Sequence, residues 1–141
     1  MPINLSTPTQ TDPYKALAER IIDLERKFNR VDRNGLPQVE DWTEVTSFTG
    51  SWVNYGAGYN TAAYCVDLFG WVHLKGLIKS GSIGSSAFTL PSGYRSVERC
   101  LFGVASNGAF GEVDVTSAGL VIPVVGSASS VSLDGISFRG A

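Results

Sequence analysis

Histidine and cysteine are scarce here: one histidine and two cysteines in 141 residues, with charged side chains making up only 17% of the chain. One histidine and two cysteines do not compose a zinc motif. Any histidine-dependent acid–base step would have to use His73. No G-x-S-x-G, H-E-x-x-H or phosphate-loop sequence occurs, so no enzymatic activity and no cofactor are expected. No apolar run approaches the ~20 residues that a membrane-spanning helix needs. The N-terminus lacks a charged region followed by an apolar run, so no signal peptide is expected. Synthesis in the cytoplasm, with later placement by assembly or lysis, is the corresponding expectation. Lys and Arg do not exceed Asp and Glu. Residues 1–40 carry six of each, and residues 41–141 carry five against seven. Without a basic patch, nucleic acid is not expected as a partner.

What is present begins with a heptad ladder. Tyr14, Leu17, Ile21, Leu24, Phe28 and Val31 follow 3-4-3-4-3 spacing, the a/d seam of a coiled coil. With Tyr14 at a, Arg20 and Lys27 fall at g, and Glu25 and Asp32 fall at the next e positions. Arg20 can then meet Glu25 of a neighbouring copy, and Lys27 can meet Asp32, as in a parallel assembly. Asp12 can cap the helix and Pro13 suits its first position. Asn34-Gly35 and Pro37 end it. Three heptads are marginal alone, so the helix needs partners. Aromatic Tyr14 and Phe28 at a positions, with Ile22 outside the seam at b, favour a trimer over a dimer.

The segments expected are a docking arm at 1–11, a coiled-coil helix at 12–34, a linker at 35–42 and a β knob at 43–141. The arm is polar, with Ile3 and Leu5 as its two apolar anchors, and it gains order only by packing against a sister chain or a larger particle. The knob reads as short strands punctuated by Gly, Pro, Asn and Ser. Strands are expected at Thr43–Phe48, Trp52–Tyr55, Thr61–Asp67, Trp71–Lys79, Ser85–Leu90, Val97–Ala105, Phe110–Thr116, Leu120–Val125 and Val131–Phe138. Asn107-Gly108 is the strongest hairpin signal. Val72, Leu74 and Ile78 should face one side, and Trp71, His73 and Lys75 the other. In the last strand Val131 and Leu133 share one parity while Ile136 and Phe138 share the other. A bulge at Asp134-Gly135 reconciles them. The fold class expected is mainly β: an antiparallel β-sandwich, jelly-roll-like, on a short coiled coil.

Three runs carry a resemblance. They are Gly70-Trp71-Val72-His73-Leu74-Lys75-Gly76, then Leu90-Pro91-Ser92-Gly93-Tyr94-Arg95, then Leu133-Asp134-Gly135-Ile136-Ser137-Phe138. Together, over about residues 50–139, the chain resembles the tip domains of bacteriophage fibres and minor virion structural proteins. The resemblance implies a trimeric jelly-roll-like knob on a stalk, within a virion. Ser96 stands where that pattern usually has proline, and the stalk has no Gly-x-y repeat. A stalk this short suits a small knob close to the particle surface.

Few residues invite chemistry. Cys65 and Cys100 lie far apart in apolar runs and read as free thiols. Glu112 and Asp114 share one face of one strand, which reads as a solvated face rather than a paired-carboxylate site. Trp52, Asn54, Tyr55, Tyr59 and Asn60 mix flat rings with amides around a Gly-rich turn. Rings stack on apolar sugar faces and amides pair with hydroxyls, so contact with a host cell-surface glycan is one reading. Burial of Trp52, with Tyr55 and Tyr59 closing a hairpin or a subunit seam, is the other. The function expected is that of a virion structural protein, a homotrimer anchored to other virion proteins by its N-terminal arm. A tail-associated adhesion role is preferred over capsid decoration, and a free carbohydrate-binding module ranks lower.

Overall fold

The computed structural model describes residues 13–29 and 40–141, with side chains of the first segment described to residue 26. The arm residues Ile3 and Leu5 lie outside the described residues, as do Asp12, Val31 and Asp32. The side chains of Lys27 and Phe28 are likewise outside them. Two units, Met1–Gln38 and Val39–Ala141, are described separately below.

Helix α1 spans Pro13–Asn29. Proline opens it because the first helical N–H has no intrahelical acceptor to lose. Tyr14, Leu17, Ile21 and Leu24 line one face, and all are between 47 and 60% exposed. Ile22 is exposed beside them, and so are Arg20 and Glu25. Lys15 and Glu19 form an i,i+4 pair at 3.9 Å, which adds a few tenths of a kcal/mol at most. No helix among the described residues is long and apolar enough to cross a membrane.

The knob contains β1 (Thr43–Glu44), β2 (Val53–Asn54), β3 (Ala63–Val66), β4 (Trp71–Lys75), β5 (Leu77–Lys79) and β6 (Phe88–Thr89). It continues through β7 (Cys100–Ser106), β8 (Ala109–Val115), β9 (Leu120–Val125), β10 (Val131–Ser132) and β11 (Ser137–Arg139). Every expected strand overlaps at least one of these, and two expected strands are divided. The sheets run β1-β3-β4-β11, β10-β5-β2 and β6-β9-β8-β7, and all pairings are antiparallel. In the last sheet a meander, β7-β8-β9, is completed by β6 beside β9, which is Greek-key order. Its partner layer differs from the jelly-roll expectation. It is broken into two sheets at Gly76 and at Asp134-Gly135, rather than forming one continuous sheet.

The break explains the glycines and the parity change together. Gly76 has φ +124°, and a Cβ there would sit 2.5 Å from the Ala62 Cα, so only glycine fits. Its N–H donates to Asp134 Oδ1 at 2.8 Å. Val131 pairs with Ile78, and Ser137 pairs with His73. Residues 133–136 therefore lie opposite 74–76, one residue more on the later strand. That is the bulge anticipated at Asp134-Gly135, and it lets Val131, Leu133, Ile136 and Phe138 all be buried.

The core lies between the layers. Val72, Leu74, Ile78, Val131, Leu133 and Phe138 meet Phe88, Leu90, Val113, Val115 and Val121. The Phe102 and Phe138 rings, from opposite layers, are 6.1 Å apart. Asn107 (φ 48°) and Gly108 (φ 78°) form the two-residue turn of the β7–β8 hairpin. At the Pro91–Tyr94 corner the Tyr94 N–H donates to the Pro91 carbonyl at 3.1 Å, with Gly93 at φ +93°. Tyr94 packs its ring on Tyr64, 4.8 Å away. The Ala141 N–H donates to the Arg95 carbonyl at 2.8 Å, so the corner motif and the chain's last strand hold each other. Glu40 Oε1 accepts from the Val66 N–H at 2.9 Å, and the Lys75 ammonium lies 5.1 Å over the Trp42 ring. Contacts with the knob thus begin within the stretch 40–42, ahead of Thr43.

Candidate functional site: aromatic loop and braced sheet face

The loop after β2 divides the five residues singled out for glycan contact. Trp52 is a core residue, 1% exposed, which is the burial reading rather than the glycan-contact one. Its ring lies against Gly81, where any side chain would strike the indole. Its Nε1 has no hydrogen-bond partner among the described residues. Asn54 turns inward as well, accepting the Ala62 N–H at 2.8 Å through Oδ1. That bond satisfies a backbone donor at the start of β3, so the amide oxygen serves the fold. Asn60 Nδ2 donates to Asp134 Oδ1 at 3.3 Å, although the residue stays exposed.

Tyr55 and Tyr59 remain as surface rings. Their centroids are 5.3 Å apart in an edge-on arrangement, with Tyr59 59% exposed. The Lys79 ammonium sits 5.0 Å over the Tyr55 ring. Gly56, Ala57 and Gly58 all have positive φ, which curls the loop so that the Tyr59 N–H reaches the Gly56 carbonyl at 3.1 Å. Ala57 at φ 53° adopts a conformation that costs an alanine on the order of 1 kcal/mol. The result is two phenol rings at a strained turn, with one cation reaching over Tyr55 from β5. Such a surface can stack on an apolar sugar face and donate to hydroxyls.

A second surface emerges only when β11 pairs with β4. Trp71 lies opposite Arg139, and His73 opposite Ser137, so all four share the outer face. His73 Nδ1 is 2.8 Å from Ser137 Oγ, and its Nε2 is 2.9 Å from Asp67 Oδ2. Asp67 Oδ1 also accepts the N–H groups of Phe69 and Trp71, at 2.9 and 3.0 Å. Burial alone would raise the Asp67 pKa. The His73 hydrogen bond, the two backbone N–H groups and the imidazole charge outweigh it and hold the carboxyl below its usual value. The connectivity is Ser–His–Asp, and it links three elements. His73 clamps β11, β4 and the turn between β3 and β4, with both ring nitrogens occupied. The sequence placed His73, Trp71 and Lys75 outward. It did not place Ser137 or Asp67 beside them, because those partners depend on register. The alternation around buried Phe138 was the available signal.

Other candidates resolve structurally. Cys65 and Cys100 are free thiols; burial is the main cause raising the Cys65 pKa, assisted by the charges of Glu40 and Asp67. Asp114 corrects the solvated-face expectation. It is buried, and its Oδ2 accepts from Arg99 Nε at 2.7 Å and Nη2 at 2.6 Å. A groove of about 100 Å³ between Glu44–Ser47, Tyr64 and Phe88–Thr89 is below the ~300 Å³ of a usual small-molecule pocket. Among the described residues, no three His, Cys, Asp or Glu side chains gather where a metal could bind.

No protein-family model matches the chain. No curated protein matches it. Among solved structures, the chain is similar to the crystal structure of the receptor binding protein (gp15) of Listeria phage PSA. The TM-score is 0.62 at 16% identity, over 96% of this chain and 82% of that one. At that identity the likeness establishes a shared fold.

Proposed function

We propose that this chain is a bacteriophage virion structural protein, a homotrimeric short fibre with a tail-associated knob that contributes to adhesion to the host surface. The observation that carries the reading is the fold shared with a phage receptor binding protein over nearly the whole chain. The exposed seam of α1 supports self-association, because an apolar helical face of this kind is stable in water only when covered. The arm at 1–11 then docks to other virion proteins, and the knob faces outward.

Host contact is assigned to Tyr55, Tyr59 and Lys79, with a cell-surface glycan as the partner class. Trp52 and Asn54 support the loop from beneath and do not touch the ligand. Exposed tyrosines suit this role because each offers a flat apolar face and a hydroxyl at small entropic cost.

The test has two parts. Antibody against the knob, imaged on intact particles by cryo-EM, should decorate the tail end; label scattered over the head would replace adhesion by capsid decoration. Fluorescent full-length chain should bind bacterial envelopes saturably and be displaced by soluble cell-wall polysaccharide. Tyr59→Ala that bound as tightly as the parent would remove the loop from the binding surface.

A further inference from the structure

The sheet β6-β9-β8-β7 is unusual on the side away from the core. An antiparallel sheet with one face buried is ordinarily polar on the other. Here the outward positions carry Phe110 at 66%, Leu101 at 62% and Val125 at 44% exposure. Exposed Gly103 and Ala105 lie between them, pairing with Glu112 and Phe110 across the β7–β8 ladder. The Phe110 ring rests over Gly103, where a Cβ would come within 3.3 Å of Cε2. The Asp114 carboxylate on this face is already matched by Arg99. The Arg99–Asp114 pair thus borders the apolar positions beside Leu101, and the partly exposed Glu112 lies among them, opposite Gly103 and Val125.

We propose that this face is the contact between knobs of sister copies of this chain. The inference rests on the self-association read above and adds where the knobs meet. Size argues for a sister rather than a foreign protein. Six residues by three or four strands spans on the order of 20 by 15 Å, or ~300 Å². That is well under the ~800 Å² per partner of a free-standing interface. A tethered copy needs less, because helices already associated hold the knobs at roughly millimolar effective concentration.

The test installs the photocrosslinker p-benzoylphenylalanine at position Phe110 in the full-length chain, with the same group at the exposed turn residue Phe69 as the collision control. Native mass spectrometry is run alongside. The expected result is an oligomeric mass, with crosslinked dimers and trimers several-fold more abundant from position 110 than from position 69. The double substitution Leu101→Ser and Phe110→Ser should leave the circular dichroism of the knob unchanged and lower the melting temperature of the oligomer. An oligomer whose position 110 crosslinks no better than position 69 overturns the sister-knob face and leaves helical self-association standing. A monomeric mass for the parent chain overturns both.

Discussion

The helix and the knob use the same kinds of side chain to opposite ends. Leu24 of α1 is 51% exposed, while Leu133 of the knob is fully buried. The knob supplies its own second layer, so its leucines and valines pack against each other across the sandwich. The helix has a single apolar stripe, and its described residues Tyr14, Leu17, Ile21 and Leu24 stay about half exposed. On the proposed reading sister chains supply the burial that the helix lacks, whereas the knob's comes from within. An amphipathic pattern therefore names which residues want burial and leaves open what buries them.

The comparison sharpens under substitution. The largest effect is expected in the core: Leu133→Ala should cost about 2–5 kcal/mol of knob stability, measured by urea denaturation. The oligomer mass of whatever remains folded should be unaffected, and a smaller loss would mean the core relaxes around the gap. Arg99→Met comes next. It leaves the buried Asp114 carboxylate unmatched, and breaking a buried pair from one side costs about 3 kcal/mol or more. Because Arg99 is half exposed, the loss should fall below that figure, and no loss at all would mean water replaces the guanidinium.

Leu24→Asp should reverse the pattern. A charge in the seam should abolish the oligomer and lower the knob's urea midpoint only by what the sister-knob contact contributes, since the residues of the knob's core cluster all belong to the knob. An unchanged oligomer mass would remove the seam as the contact.

The smallest effect is expected at the brace. The folded Asp67 carboxyl is held below its usual pKa, so its contribution to stability is complete above the ordinary carboxylate range. That contribution fades as pH falls through this range toward the lowered folded value. Asp67→Asn should therefore melt lower than the parent at neutral pH, and the gap should close in acid. A gap independent of pH would mean that the carboxylate's charge is not what braces the turn.

Much of the knob was legible because turns and alternation are local. Asn107-Gly108 has the positive φ of a two-residue hairpin whatever surrounds it. The parity change from Leu133 to Ile136 required an extra residue, and the bulge is there. The divided strands were less legible. Trp71–Lys79 reads as one run, because nothing in it signals that Ala62 presses against Gly76. The candidate site was legible only in part. Trp52 and Tyr59 have similar aromatic character in sequence, yet one lies beneath Gly81 and the other stands in solvent. Glu112 and Asp114 share parity, yet only Asp114 is buried, paired with Arg99 from the approach to β7.

By itself the sequence determined the β-rich class, the apolar stripe of the helix, the turn positions and the inward residues of the Trp71–Lys79 and Val131–Phe138 runs, because these follow from backbone sterics and side-chain period. Only the tertiary structure decided which outward residues are free. It withdrew Trp52 and Asn54, tied His73 between Asp67 and Ser137, and left Tyr59, Leu101 and Phe110 exposed. Exposure depends on what another part of the chain brings across, and local pattern carries no record of distant register.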